Sequence, residues 1–243
     1  MACMSKNIKD IIKAVMPLKY HHSLMRIKDW LGVFYFTKSY AQEGEDMILR
    51  RIFETQETGF YVDVGAHHPK RFSNTYHFYK SGWRGINIDA MPGSMSIFNK
   101  IRPRDINLEA AISSKKSGKL TYYAFSESAL NSFSKELSLQ RDGERGNKII
   151  FTKELETVSL KDILNRYIPQ NTQVDFLSVD VEGLEMEVLR SNDWSKYKPR
   201  IVLVEQLMTS VEEVERSEIR QFMRDQGYLL YAKTANSVFY LLR

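Results

Sequence analysis

The chain has 243 residues with 35 Lys+Arg against 30 Asp+Glu, a formal net charge of +5, and a 43% hydrophobic composition with 12 Gly and 6 Pro. This fits one large folded domain, or at most two small ones, and excludes disordered and collagen-like chains. The one cysteine, Cys3, excludes an intrachain disulfide and a cysteine-based zinc site, and no apolar run approaches the ~18 residues of a membrane span.

A single cysteine suits a reducing compartment, and the N-terminus lacks an apolar core followed by a small-residue cleavage site, so the expected location is cytoplasmic. Seven of the basic residues and two of the acids fall within residues 1–38, which leaves 28 of each sign in residues 39–243. The positive excess therefore belongs to an N-terminal basic helical arm, residues 1–38, and the main domain expected over residues 39–243 is neutral. Within the arm, Ile8, Ile11, Ile12, Val15 and Met16 form an apolar stripe opposite Lys6, Lys9, Asp10 and Lys13, an amphipathic helix ended by Pro17. A second helical stretch covers about residues 22–33. Three uses are open for the arm: cover for the core, a homodimer contact, or peripheral contact with an anionic inner membrane surface.

Next comes a helix over residues 44–54, with Met47, Ile48, Ile52 and Phe53 as its buried stripe. From Gly59 the pattern becomes strands alternating with helices. Strands are expected at residues 59–65, 85–89, 105–112, 120–125, 174–179, 201–205, 228–233 and 237–242. Helices are expected at 73–81, after Pro92, and at 160–167, 185–190 and 211–225. Residues 126–155 are polar, with 142–146 the most loop-like part, and are expected to form a mobile excursion. The alternation predicts an α/β fold: a mostly parallel sheet with helices on both faces and a C-terminal antiparallel hairpin. Ligands of such sheets bind beyond the carboxyl ends of the strands, where strand order reverses.

The first strand ends Val62-Asp63-Val64-Gly65-Ala66-His67-His68. Glycine there lets a ligand approach the backbone, but His67 and Lys70 break the GxGxxG spacing, which disfavours a dinucleotide pyrophosphate. Asp89 ends the second strand, where a carboxylate can accept both hydroxyls of a ribose. The pair suggests a cofactor with an adenosine ribose and no pyrophosphate. Asp180 and Glu182 follow the 174–179 strand, and Glu205 ends the next. Three carboxylates converging there suit either a divalent cation or a general base of raised pKa. His67 or His68 is a further candidate base for an alcohol. Tyr122, Tyr123 and Phe125 offer aromatic faces either to a sugar or to the core.

Four motifs in order resemble the FkbM-like family of S-adenosylmethionine-dependent methyltransferases. They are Ser39-Tyr40-Ala41-Gln42-Glu43-Gly44-Glu45-Asp46; the 59–69 run; Ser73-Asn74-Thr75-Tyr76 with Gly82-Trp83-Arg84-Gly85 and Ile88-Asp89-Ala90; and Val179-Asp180-Val181-Glu182-Gly183-Leu184-Glu185. The resemblance covers about residues 39–206 and implies a Rossmann-like methyltransferase sheet with S-adenosyl-L-methionine as methyl donor. It implies that Asp63, Gly65, Ala66 and His67 line the methionine part, Asp89 with Ala90 the ribose, and Ala110 and Ala111 the adenine border. It also implies that Gln42 and Glu45 close over the cofactor, that Asn74 approaches its carboxylate, and that Asp180 and Glu182 face the methyl group and the acceptor. His68 joins these two as a candidate catalytic residue, and Asp180, Glu182 and Glu205 form the ligand set if Mg²⁺ takes part.

The expected activity is O-methylation of a sugar, nucleotide-sugar or glycan acceptor in surface polysaccharide or natural-product biosynthesis. Alternatives are an RNA or protein methyltransferase of the same fold and a non-catalytic adenosine-cofactor-binding module. No nucleic-acid partner is expected, because residues 39–243 are neutral and lack a basic cluster interleaved with aromatics.

Overall fold

The structure is a computed structural model that describes residues 37–114, 118–207 and 210–243. The two arm helices expected at 6–16 and 22–33, and the membrane or homodimer contact assigned to them, lie outside the described residues. Residues 39–243 form one compact unit.

Helix α1 (Glu45–Ile52) opens the unit, with Glu45 and Asp46 in its first turn and Arg50 and Arg51 in its last. That charge order complements the helix dipole. Strand β1 (Phe60–Val64) is buried along its whole length, and α2 (Tyr76–Lys80), β2 (Arg84–Asp89), α3 (Met95–Ile101) and β3 (Ile106–Glu109) follow. After β4 (Ala111–Ile112) and β5 (Lys119–Phe125) come α4 (Lys135–Arg141), β6 (Ile149–Val158), α5 (Leu160–Tyr167), β7 (Phe176–Val179) and α6 (Glu185–Arg190). The chain closes with β8 (Ile201–Glu205), α7 (Val211–Arg216), α8 (Glu218–Asp225), β9 (Tyr228–Lys233) and β10 (Ser237–Leu242).

Seven strands form one sheet in the order β3-β2-β1-β7-β8-β10-β9. All neighbours from β3 to β8 are parallel, and β10 runs antiparallel to both β8 and β9. Successive strand residues point to opposite faces, and the core divides accordingly. Val62, Val64, Leu177 and Val179 pack with Leu160 and Leu164 of α5 and with Val188 and Leu189 of α6. Tyr61, Phe176, Leu203 and Phe239 pack with Leu49 of α1, with Phe53 just past its end, and with Phe78 and Trp83. Strand order reverses between β1 and β7, which places the switch point between Gly65 and Asp180. Among the described residues, no helix is long and apolar enough to cross a membrane.

Three expected elements change form. The strand predicted over 105–112 divides: β3 stays on β2, the Ala110 N–H donates to the Asp89 carbonyl at 3.0 Å, and β4 leaves to pair with Thr157 and Val158 of β6. The excursion predicted over 126–155 is largely ordered, because β6 pairs antiparallel with the whole of β5. Most of β6 is exposed, so no apolar period marks it, and the backbone ladder holds it instead. The helix predicted over 211–225 breaks at Ser217, an extended residue whose hydroxyl accepts the Arg220 N–H and donates to Gln206 Oε1. A serine capping the second helix cannot also continue the first.

Candidate active site

A cavity of about 440 Å³ opens at the carboxyl ends of β1, β2, β7 and β8. One wall is the turn after β1. Gly65 has φ +85°, and a Cβ placed on it would lie 1.6 Å from the Asp180 carbonyl oxygen. Only glycine meets both conditions. The turn is pinned to the sheet by the Gly65 and Ala66 N–H groups, which donate to the Ile88 carbonyl at 2.9 and 3.0 Å.

Asp89 stands in the next wall. Its two carboxylate oxygens accept the His67 N–H at 2.9 Å and the Met91 N–H at 2.8 Å. Each oxygen keeps a second lone pair for a hydroxyl of a ligand. Burial pushes its pKa up against the pull of those backbone bonds. Around it, Ile88, Ala90, Ile97, Ala110 and Ile112 supply an apolar slot.

Asp180, Glu182 and Glu205 line the opposite end, with carboxylate oxygens within 4.8 Å of one another. The Asp180 N–H extends the β1–β7 ladder by donating to the Val64 carbonyl at 2.9 Å. Beyond it, Glu182 has φ +54° and Gly183 φ +106°, a strained turn of the kind found at functional sites. Glu185 Oε1 holds this turn by accepting the Val181 and Gly183 N–H groups at 3.2 and 3.0 Å. From the other side, the Ser132 hydroxyl donates to the Glu182 carbonyl at 2.6 Å, and Arg141 of α4 pairs with the Glu182 carboxylate at 2.7 Å.

The three acids differ in state. Burial, then the charges of Glu182 and Glu185, push Asp180 well above the usual carboxylate range. Burial, then the Asp180 charge, push Glu205 up as well, and the hydrogen bond between the two carboxyls favours the proton on Glu205. Both carboxyls are thus held above the usual carboxylate range, Glu205 the more strongly. Glu182 is raised by burial and pulled back by Arg141.

Of the residues expected in the site, Gln42, Gly65, His67, Asp89, Ala90, Ala110, Asp180, Glu182 and Glu205 line this cavity. Six others do not, and each has another partner. Asp63 points to the opposite face from Val62 and Val64, is buried, and accepts the Thr75 hydroxyl at 2.8 Å. Ala66 is packed with Met95 and Phe98. Asn74 donates to the Ser178 hydroxyl at 3.1 Å rather than reaching a ligand carboxylate. Glu45 is buried toward the β9–β10 turn, where Ser237 Oγ donates to it at 3.2 Å. Ala111 is buried at the start of β4. His68 Nδ1 accepts the Lys70 and Arg71 N–H groups, which removes that nitrogen as a base. Its neighbour His67 faces the cavity, with its pKa lowered by burial and then by Arg71.

The wall also contains residues that the strand-end argument passes over: Arg71, Phe72, Met91, Ser94, Glu127, Leu130, Asn131 and Phe133. Those after residue 126 belong to the excursion, whose polar composition hid its role as a wall of the site. Tyr122 also lines the cavity, while Phe125 is buried in the core.

Strand order, the lone antiparallel β10 and a cavity at the β1–β7 switch point together define a Rossmann-like α/β fold with its ligand cavity at the switch point. A family model described as the methyltransferase FkbM domain matches residues 63–230, and the chain belongs to that family. Among solved structures, precorrin-6y C5,15-methyltransferase from Geobacter metallireducens aligns at 11% identity and TM-score 0.42, over 84% of this chain and 89% of that one. A putative O-methyltransferase from Klebsiella pneumoniae aligns at 10% identity and TM-score 0.41, over 97% and 96%. The O-methyltransferase from Bacillus cereus, in complex with SAH, aligns at 8% identity and TM-score 0.39, over 97% and 96%. No curated protein sequence matches the chain.

Proposed function

We propose that the protein transfers a methyl group from S-adenosylmethionine to a hydroxyl of a sugar, nucleotide-sugar or glycan. The observation that carries this reading is the cluster of Asp180, Glu182 and Glu205 carboxylates, within 4.8 Å of one another in the same cavity as Asp89.

The cavity's chemistry suits that donor. Asp89 has lone pairs for the ribose hydroxyls, Ile88, Ala90 and Ala110 offer apolar surface to adenine, and the acids at the far end favour a cationic sulfonium. The sulfonium supplies a methyl carbon that is already electrophilic. What remains for the protein is to hold the acceptor oxygen in line, exclude water and accept the hydroxyl proton. Asp180, which its hydrogen bond to Glu205 pulls down while raising Glu205, is the more readily ionised of the two and the acceptor of that proton. A raised pKa makes it a better base than an ordinary carboxylate. The polar groups Gln42, Ser128 and Asn131 in the wall suit a polyol.

The three carboxylates are close enough to ligate one divalent cation, but Arg141 already pairs with Glu182. A Mg²⁺ ion would have to compete with Arg141 for Glu182, and we read proton removal as direct.

The test is incubation with labelled S-adenosylmethionine and separate pools of nucleotide-sugars, glycans, RNA and protein. Alkali-stable label in a carbohydrate pool supports the reading, and label confined to RNA or protein replaces it.

A further inference from the structure

The cavity wall contains five carboxylates, those of Asp89, Glu127, Asp180, Glu182 and Glu205, and among the described residues one Lys or Arg, Arg71. Arg71 belongs to the loop that follows His67, and Glu127 to the turn after β5, so the two reach the site from separate elements. Their ion pair is loose: Arg71 Nη2 lies 3.6 Å from Glu127 Oε1, with side chains 52% and 42% exposed. Glu127 Oε1 also accepts the Ala129 N–H at 3.4 Å. The guanidinium lies 4.4 Å above the ring of Phe72, itself 39% exposed at φ +54°. Exposed pairs of this length are weak, so a ligand with both charges can replace the partners at low cost.

The amino-acid end of S-adenosylmethionine has those two charges on one carbon, an α-carboxylate and an α-ammonium. The residue expected to meet its carboxylate, Asn74, is bonded to Ser178 outside the cavity. His67, in the wall beside Arg71, is held neutral by burial and by the Arg71 charge, so it offers no cation. We infer that Arg71 and Glu127 form a zwitterion clamp, in which the loose pair opens so that Arg71 takes the α-carboxylate and Glu127 the α-ammonium of the methyl donor. This rests on the donor assigned under the proposed function.

Calorimetric titration of the full chain with two thioethers tests the clamp. S-adenosylhomocysteine has the amino-acid end, and 5′-methylthioadenosine lacks it. The wild type should prefer the former. Arg71→Met and Glu127→Gln should each weaken S-adenosylhomocysteine binding about tenfold or more and leave methylthioadenosine within about twofold, as expected for one lost charge-assisted bond. Retained methylthioadenosine binding also shows that each variant is folded. If both variants bind S-adenosylhomocysteine as the wild type does, or lose both ligands in parallel, the clamp is wrong and the donor assignment stands. If the wild type binds neither thioether, the donor assignment fails and the clamp with it.

Discussion

Gly65 and Asp180 meet backbone to backbone at the switch point, so closely that a methyl group on Gly65 would lie 1.6 Å from the Asp180 carbonyl oxygen. This contact joins the turn proposed to face the donor to the strand end that presents the proposed base. Gly65→Ala would force the two ends apart and also place a Cβ at φ +85°. Thermal denaturation should show a loss of about 2 kcal/mol or more. Binding of S-adenosylhomocysteine should fall with it.

Asp89, the proposed ribose ligand, is also structural, since its carboxylate satisfies the His67 and Met91 N–H groups. Asp89→Asn keeps one acceptor oxygen and turns an amide N–H toward a backbone donor. Stability should drop by about 1–3 kcal/mol, the cost of an unmet buried donor. Calorimetry should show S-adenosylhomocysteine affinity falling about tenfold or more, as a ribose hydroxyl loses its charged acceptor.

Glu205 has a pKa raised in the folded state by burial and by Asp180. It binds its proton more tightly folded than unfolded, so its contribution is fully present below the unfolded value of about 4.3 and is lost as pH rises through the folded one. Glu205→Gln stays neutral throughout. Its melting temperature relative to wild type should therefore climb between about pH 5 and pH 9, by an amount equivalent to roughly 1–3 kcal/mol. A constant difference across that range would show that Glu205 is not protonated on folding.

Asp180→Asn should lower turnover about 10²–10⁴-fold, the usual loss for a general base. S-adenosylhomocysteine affinity should stay within about threefold, since Asp180 acts on the acceptor's proton. EDTA should leave the wild-type rate unchanged and added Mg²⁺ should not raise it. Stimulation by Mg²⁺ would return the three carboxylates to the role of metal ligands.

Strands buried on both faces were legible from sequence because apolar runs such as 60–64 and 201–205 stop at Gly or an acid. The hairpin strands matched residue for residue, since Thr234-Ala235-Asn236 separates two clear β runs. Strand β6 was not legible, because Thr152, Lys153 and Glu154 are exposed and show no buried face. At the site, chain position found Gly65, Asp89 and Asp180, whose backbones end strands. Asp63 and Asn74, which the resemblance set beside the donor, instead bond to Thr75 and Ser178 and do not line the cavity. Arg71 and Glu127 escaped notice because their meeting depends on a loop and an excursion coming together in space.

Calorimetric titration of S-adenosylhomocysteine and NAD into the full chain tests the central claim most directly. The account predicts saturable one-site binding of S-adenosylhomocysteine and weaker or no binding of NAD, since the turn after β1 lacks the glycines that accommodate a pyrophosphate. Tighter binding of NAD, or no heat from S-adenosylhomocysteine, would contradict it.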